Sequence, residues 1–386
     1  MKVNNFQCSE IKEGIHKLKE IKENFRPDLF IIYMPYNYFE DKNFNLINEA
    51  VNSVENVIIS TVATVKDDQL IYNSIGGVAL KFEKNGKISI KSKNDISQNI
   101  KSSASFLEKS LIPESYGTNL IFSTSSNLSV HRILSSIFNK QQGIRLYGGV
   151  ASSDAEDFRT YLSHNGKIIK DGFLILNLYN IYSFNTVSMG FIPIGTTYTV
   201  TKAKDNKIYS LDDMPVSYFL NNILNNTGVS IEDLDPVNTS QIMWEFPFLF
   251  IDEEGHISHL LVPMMYDPVD GGYAFYGEVV QGSKVKLSTG DSEDILIDVK
   301  LRAGEFKNIC LKRGYPDLIF NITCTARNFV LLSDKKEKEE QKIYHQHLKK
   351  SPITGFLTFG EIGPDRMGKP GKFYNETSIL IGLVEK

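Results

Sequence analysis

The strongest constraint on this chain is an apolar run, a helical repeat and a second apolar run, in that order, near its start. Leu29–Met34 is apolar throughout and lies between Pro27 and Pro35, the pattern of a buried strand. Phe44, Ile47, Val51 and Val54 then recur at helical spacing, and Val57–Thr64 is a second buried strand. Strand, helix and strand in this order predict a parallel pair joined by a crossover. Upstream, Ile11, Ile15, Leu18, Ile21 and Phe25 mark another helix, with Ser9 as N-cap and Pro27 as its stop.

Hairpin signals follow. Gly77–Glu83 and Lys87–Ser92 flank Asn85-Gly86, and Lys167–Lys170 follows Asn165-Gly166. Helices are expected over Ile96–Leu111 and around Val130–Ile137, and strands over Asn119–Ser123, Ile144–Ala151, Arg159–Ser163, Phe173–Tyr179, Tyr182–Met189 and Thr196–Lys202. Further on, strands are expected at Ile242–Ile251, His259–Val262, Tyr273–Val280, Ile295–Val299, Leu318–Thr325, Ile353–Phe359 and Ser378–Val384. A helix is expected over Ala303–Lys312, and Asn225–Asp235 reads as loop. Asp334–Lys350 mixes charges of both signs and reads as a solvated helix or linker. Crossovers mixed with hairpins predict α/β shading into α+β, with two domains of mixed β-sheets and packed helices. A composition shift near Ser210–Pro215 places the domains at 27–214 and 215–386. Gly76-Gly77-Val78-Ala79 is echoed by Gly148-Gly149-Val150-Ala151, which is too short to establish a repeat.

The last stretch, Gly355–Asn375, begins as a strand at Gly355 and becomes a loop with four more glycines, two prolines, Glu361, Asp365 and Arg366. Such a loop builds little core, and its backbone can approach a ligand closely. Composition narrows the function. A net charge of −4 and a pI near 6.0 speak against a nucleic-acid partner. No apolar run is long enough to span a membrane, and the N-terminus has no apolar signal-peptide core. Cys8, Cys310 and Cys324 form no CxxC or zinc pattern, so reduced thiols in a cytoplasm are expected. Without GxSxG, P-loop or HExxH, no enzymatic centre is expected.

Several stretches together resemble the FIST family, a bacterial sensory domain that also occurs beside F-boxes. They are YGGVASSD at Tyr147–Asp154 with GFLILNL at Gly172–Leu178, NITCTARNFVLL at Asn321–Leu332, and the Gly-Glu-Ile-Gly and Phe-x-Asn of Gly355–Asn375. The resemblance runs from about Pro27 to the end. It departs at Ser60-Thr61-Val62-Ala63, where the family often carries Gly-Cys-Ser/Thr. The resemblance implies a sensor of a small ligand, an amino acid or related metabolite. Because the chain ends on its last strand, a separate signalling partner is expected, such as a histidine kinase, cyclase or chemoreceptor. Some members bind haem and sense nitric oxide. That alternative needs one axial histidine, for which His131 is the first candidate.

The ligand-binding candidates are Gly148, Gly149, Ser152, Asp154, Arg327, Glu361 and Asn375. The glycines and Ser152 offer backbone amides for an anion. Arg327 is the expected clamp for a carboxylate, and Asp154 with Glu361 the expected partners of an ammonium. Asn375 can donate or accept. Cys324 has no histidine near it in sequence, so it reads as a buried hydrophobe, with a hydrolase nucleophile as the alternative.

Overall fold

The computed structural model describes residues 1–125, 127–138, 143–224, 244–364 and 371–386. The expected loop at Asn225–Asp235, the start of the strand expected from Ile242, and Asp365 and Arg366 lie outside these residues.

The chain repeats one pattern three times. The first pass is β1 (Lys2–Cys8), α1 (Ile11–Phe25), β2 (Leu29–Met34), α2 (Lys42–Val51), β3 (Glu55–Ser60), the hairpin β4 (Ala63–Lys66) and β5 (Gln69–Tyr72), and β6 (Ile75–Lys81). The second is β7 (Lys87–Asn94), α3 (Ile100–Ser110), β8 (Gly117–Ser123), α4 (Asn127–Phe138), β9 (Leu146–Val150), the hairpin β10 (Leu162–His164) and β11 (Lys167–Ile169), and β12 (Gly172–Tyr179). The third starts at β13 (Ile181–Ser188) and is interrupted by an insertion. The insertion comprises β14 (Ile192–Lys204), β15 (Lys207–Leu211), β16 (Met214–Pro215), α5 (Val216–Leu224), β17 (Phe248–Ile251), β18 (Ile257–Leu261), β19 (Pro263–Asp267), β20 (Gly272–Phe275) and β21 (Lys284–Thr289). The third pass resumes with α6 (Ser292–Arg313), β22 (Leu318–Cys324), α7 (Thr325–Ser333), α8 (Glu339–Leu348), β23 (Ile353–Thr358), the hairpin β24 (Gly360–Gly363) and β25 (Lys372–Tyr374), and β26 (Ser378–Glu385).

Each pass forms a six-stranded sheet, and each sheet is completed by a hairpin from another pass. The orders are β1-β6-β2-β3-β10-β11, β7-β12-β8-β9-β24-β25 and β13-β26-β22-β23-β4-β5. In each, the third and fourth strands are parallel (β2 with β3, β8 with β9, β22 with β23) and the other neighbours antiparallel. The insertion forms a separate eight-stranded antiparallel sheet. Residue 214, the expected boundary, lies inside it.

Alternation explains the layering. Leu29, Ile31 and Tyr33 point into a core shared by all three sheets, while Phe30, Ile32 and Met34 point outward under α1 and α2. Phe122 and Phe320 meet Tyr33 and Phe356 in that shared core, with Tyr33 stacked on Phe356 at 4.8 Å between ring centres. The second sheet is covered by α3 and α4, the third by α6, α7 and α8. The fold class is α+β, as the mixed periods predict.

Three local expectations change. Ile295–Val299 is helical, because Asp291 caps the amides of Glu293 and Asp294 and starts α6 there. Asp334–Lys350 is not a solvated linker, because α8 buries Glu340, Gln341, Tyr344 and Leu348 against the third sheet. Gly76-Gly77 and Gly148-Gly149 sit on non-equivalent strands, β6 and β9, so their echo is not the repeat. Among the described residues, no helix is long and apolar enough to cross a membrane.

Candidate functional site

A cavity of about 550 Å³ opens where β22 gives way to α7. Its walls are Val62, Phe158, Trp244, Val262, Phe329 and Phe359. Trp244 stacks on Phe329 at 5.0 Å between ring centres. The polar groups reaching it include Ser153, Asp154, Glu156, Cys324, Thr325 and Asn375.

Two of these groups are unusual. The hydroxyls of Ser153 and Thr325 are buried and have no hydrogen-bond partner among the described residues. A buried hydroxyl without a partner costs about 1–3 kcal/mol, so natural folds seldom leave one idle. Thr325 is the first residue of α7, whose first-turn amides also lack partners within the helix. Together they present donors and the positive end of a helix dipole to the cavity.

Behind this wall lies a buried ionic layer. Arg327 on α7 is fully buried; its Nε donates to Glu340 at 2.9 Å and its Nη2 to Ser188 Oγ at 2.8 Å. Its Nη1 donates to the carbonyls of Met189 and Glu376. Glu361 on β24 is also fully buried, hydrogen-bonded to Thr358 Oγ1 at 2.6 Å and to the amide and hydroxyl of Thr377. Burial pushes its carboxyl up to about 8, against the pull of those hydrogen bonds. Glu376 is buried without a partner for either oxygen among the described residues, and burial raises its carboxyl well above the ordinary range. Burial, then Glu361 and Glu376, push the Cys324 thiol well up.

The expected site residues therefore divide. Asp154 and Asn375 line the cavity; Asn375 Oδ1 accepts from the amide of Val262 at 3.3 Å. Arg327 and Glu361 stand behind the wall, so they do not form the expected zwitterion clamp with Asp154. Arg327 is held by Glu340, and Glu361 by Thr358 and Thr377. Ser152 is buried, with its hydroxyl donating to the carbonyl of Leu357 at 2.6 Å. Gly148 and Gly149 lie within β9, between β8 and β24. A Cβ at Gly148 would sit 1.7 Å from the carbonyl oxygen of Ile121, so the glycine serves strand packing and not a ligand nest.

His131 does not fit the axial role that haem binding requires. The amide of Glu278 donates to its Nδ1 at 2.8 Å, so in the neutral ring the proton sits on Nε2. Neither nitrogen then offers a free lone pair to iron. Cys324 lines the cavity, but a thiol pushed up by burial is the opposite of an activated nucleophile.

Sequence reasoning missed Thr325, Trp244 and Glu376, while Ser153 falls in the small-residue stretch Tyr147–Asp154 that it had singled out. Trp244 carried a signal: it is the one tryptophan in the sequence.

Comparison with known proteins agrees with the motifs. Residues 28–214 match the FIST N domain and residues 220–364 match the FIST C domain. An uncharacterized protein of Aquifex aeolicus (strain VF5) is 26% identical over 253 residues, covering 61% of this chain and 90% of that protein.

Proposed function

Because this chain belongs to the FIST family, whose domains are signal-transduction sensor domains, we propose that it senses a small ligand held in the cavity between β22 and α7. The ligand class that suits the lining is an amino acid with an apolar side chain, or a related metabolite. Its carboxylate would take the Thr325 and Ser153 hydroxyls and the start of α7. Asp154 and Glu156 suit the ammonium, and Trp244 and Phe329 the apolar body. The observation that carries this reading is the pair of buried, unpartnered hydroxyls, Ser153 and Thr325, in the wall of this cavity.

The signal would pass to a separate protein, such as a histidine kinase, cyclase or chemoreceptor. The segment between β9 and β10 is the natural reporter. It walls the cavity through Ser153, Asp154, Ala155, Glu156 and Phe158, and through Phe158 and Thr160 it also holds Ser125, just ahead of α4. No catalytic step is proposed. A cytoplasmic setting suits three cysteines that are all unpaired and buried.

A thermal-shift screen over amino acids and organic acids tests this. Ligand at 100 times its Kd should raise stability by about 2.7 kcal/mol, and Thr325→Val should remove the rise. A flat screen, or a rise that Thr325→Val leaves intact, would overturn the assignment.

A further inference from the structure

Each of the three passes opens on a strand that ends its sheet: β1, β7 and β13. An open edge invites pairing with other chains, and charged side chains are a common guard against it. β7 carries Lys87, Lys91 and Lys93, whereas the eight residues of β13, IYSFNTVS, carry no charge.

The phase of the ladder shows which groups β13 leaves open. The amide of Lys386 donates to the carbonyl of Asn180, directly across from it, so every second residue from Asn180 onward bonds to β26. The residues between them turn their amides and carbonyls the other way. At the two ends these groups are taken. Thr118 Oγ1 donates to the carbonyl of Ile181 at 2.8 Å, and the amide of Met189 donates to Asp298 at 2.8 Å. Between the ends, the outward backbone of Ser183, Asn185 and Val187 has no partner among the described residues.

These residues lie in a groove. A cavity of about 1010 Å³ runs along Asn185, Thr186 and Val187 and continues into one of about 400 Å³ at Ser183 and Phe184. On one side α6 exposes Ile297 and Leu301, one turn apart; on the other are Arg145 and Pro364, next to β9 and β24. Thr186 Oγ1 is buried in the lining without a hydrogen-bond partner among the described residues. The two ends of the groove differ in charge. Lys312 and Arg313 flank the Ser183 end, and their side chains make no ion pair among the described residues, while Arg145 is paired with Glu114 at 2.8 Å. Asp294, Asp298 and Glu305 line the Val187 end with a single cation, Arg302, between the last two.

We propose that this groove docks an extended segment of a partner protein, which adds to β13 as an antiparallel strand. The segment is basic at its N-terminal end and acidic at its C-terminal end, and its face toward α6 carries apolar residues around one hydroxyl. Antiparallel pairing gives the stronger ladder. It sets the acidic end against Lys312 and Arg313 and the basic end against Asp294 and Glu305. The apolar residues cover Ile297 and Leu301, and the hydroxyl meets Thr186. A second copy of this chain presents its own β13 recessed between the same walls, so it fits poorly. Ser188 and Met189, at the end of β13, also hold Arg327 of α7. That contact links the docked strand to the cavity at α7; the link rests on the ligand reading above, whereas docking itself does not.

The test titrates the full chain, with no amino acid added, with the peptide KKVTTTVEE in a calorimeter. Saturable binding is expected. The reversed peptide EEVTTTVKK should bind about tenfold more weakly, and Lys312→Glu with Arg313→Glu, both exposed, should weaken the first peptide about tenfold. N-methylation of one alternate set of peptide amides should abolish binding, and of the other set should leave it intact, because only one set faces β13. No saturable binding, two methylated peptides that bind alike, or unchanged affinity in the charge variant would overturn the proposal. So would a dimer in sedimentation that the peptide fails to dissociate, which would give the edge to a second copy. A flat thermal-shift screen over amino acids does not move these readouts, so the two readings fail separately.

Discussion

The β8–α4 and β22–α7 junctions occupy the same place in two copies of one pattern, yet one is sealed and the other open. At both, an amide donates to the residue just before or at the start of the next antiparallel strand, Thr124 to Gly172 and Cys324 to Thr377. At the sealed junction Thr124 Oγ1 also takes the amide of Gly172 at 3.0 Å. Beside it, Ser125 is tied down by Thr160 and Phe158. At the open junction the amide of Thr377 goes instead to Glu361, which reaches in from β24. There Cys324 and Thr325 line a cavity, and the Thr325 hydroxyl has no hydrogen-bond partner among the described residues. One pattern thus yields a closed joint in one copy and an open cavity in another.

The comparison can be broken from several directions. Arg327→Ala should have the largest effect, because it strands Glu340 in the interior; a loss of about 3–5 kcal/mol is expected in denaturant melts. A stable variant that merely loses ligand would restore the expected clamp. Glu361→Gln comes next. The wild-type carboxyl stays protonated when folded and ionises when unfolded above its ordinary 4.5. Its contribution to stability is therefore complete below about pH 4.5 and lost as pH rises through about 8. Glutamine keeps the hydrogen-bond geometry and cannot ionise. It should flatten that slope and gain on the order of a few kcal/mol at pH 8 and above, read from melts across pH. An unchanged pH slope would place the ionised form in the fold.

Smaller effects sharpen the contrast between the joints. Thr124→Val should cost about 1–3 kcal/mol, since it leaves the buried amide of Gly172 unpaired. Thr325→Val, the matching cut at the open joint, should change ligand-free stability by less than about 0.5 kcal/mol, and upward, because no bond is lost. Equal costs in the two melts would erase the distinction between them.

Much of the fold was legible because burial writes itself into periodicity. The run Leu29–Met34 and the repeat from Phe44 to Val54 gave the first crossover directly. The hairpin exchange was not legible, because Ala63–Lys66 reads the same whether it pairs with β3 or, as here, with β23. The helix at Ile295–Val299 was hidden by its β-branched residues, although Asp291 before Glu293 and Asp294 announces a helix start. At the site, Asp154 and Asn375, singled out from the sequence, lie in the lining of the cavity. Arg327 and Glu361 were recognised as special, but spacing cannot say which face of a wall a charge occupies. Their partners, Glu340 and Thr377, come from elements whose packing no local pattern encodes.

The exchange of hairpins has a consequence for how the chain is made. Lys66 finds its neighbour in Thr354, so the β4–β5 ribbon emerges long before its seat has been translated. Until then its edge is a template for pairing with other molecules, and contacts this distant in sequence form slowly. Nascent chains stalled before β23 should therefore be aggregation-prone and in need of a chaperone, whatever the stability of the finished protein.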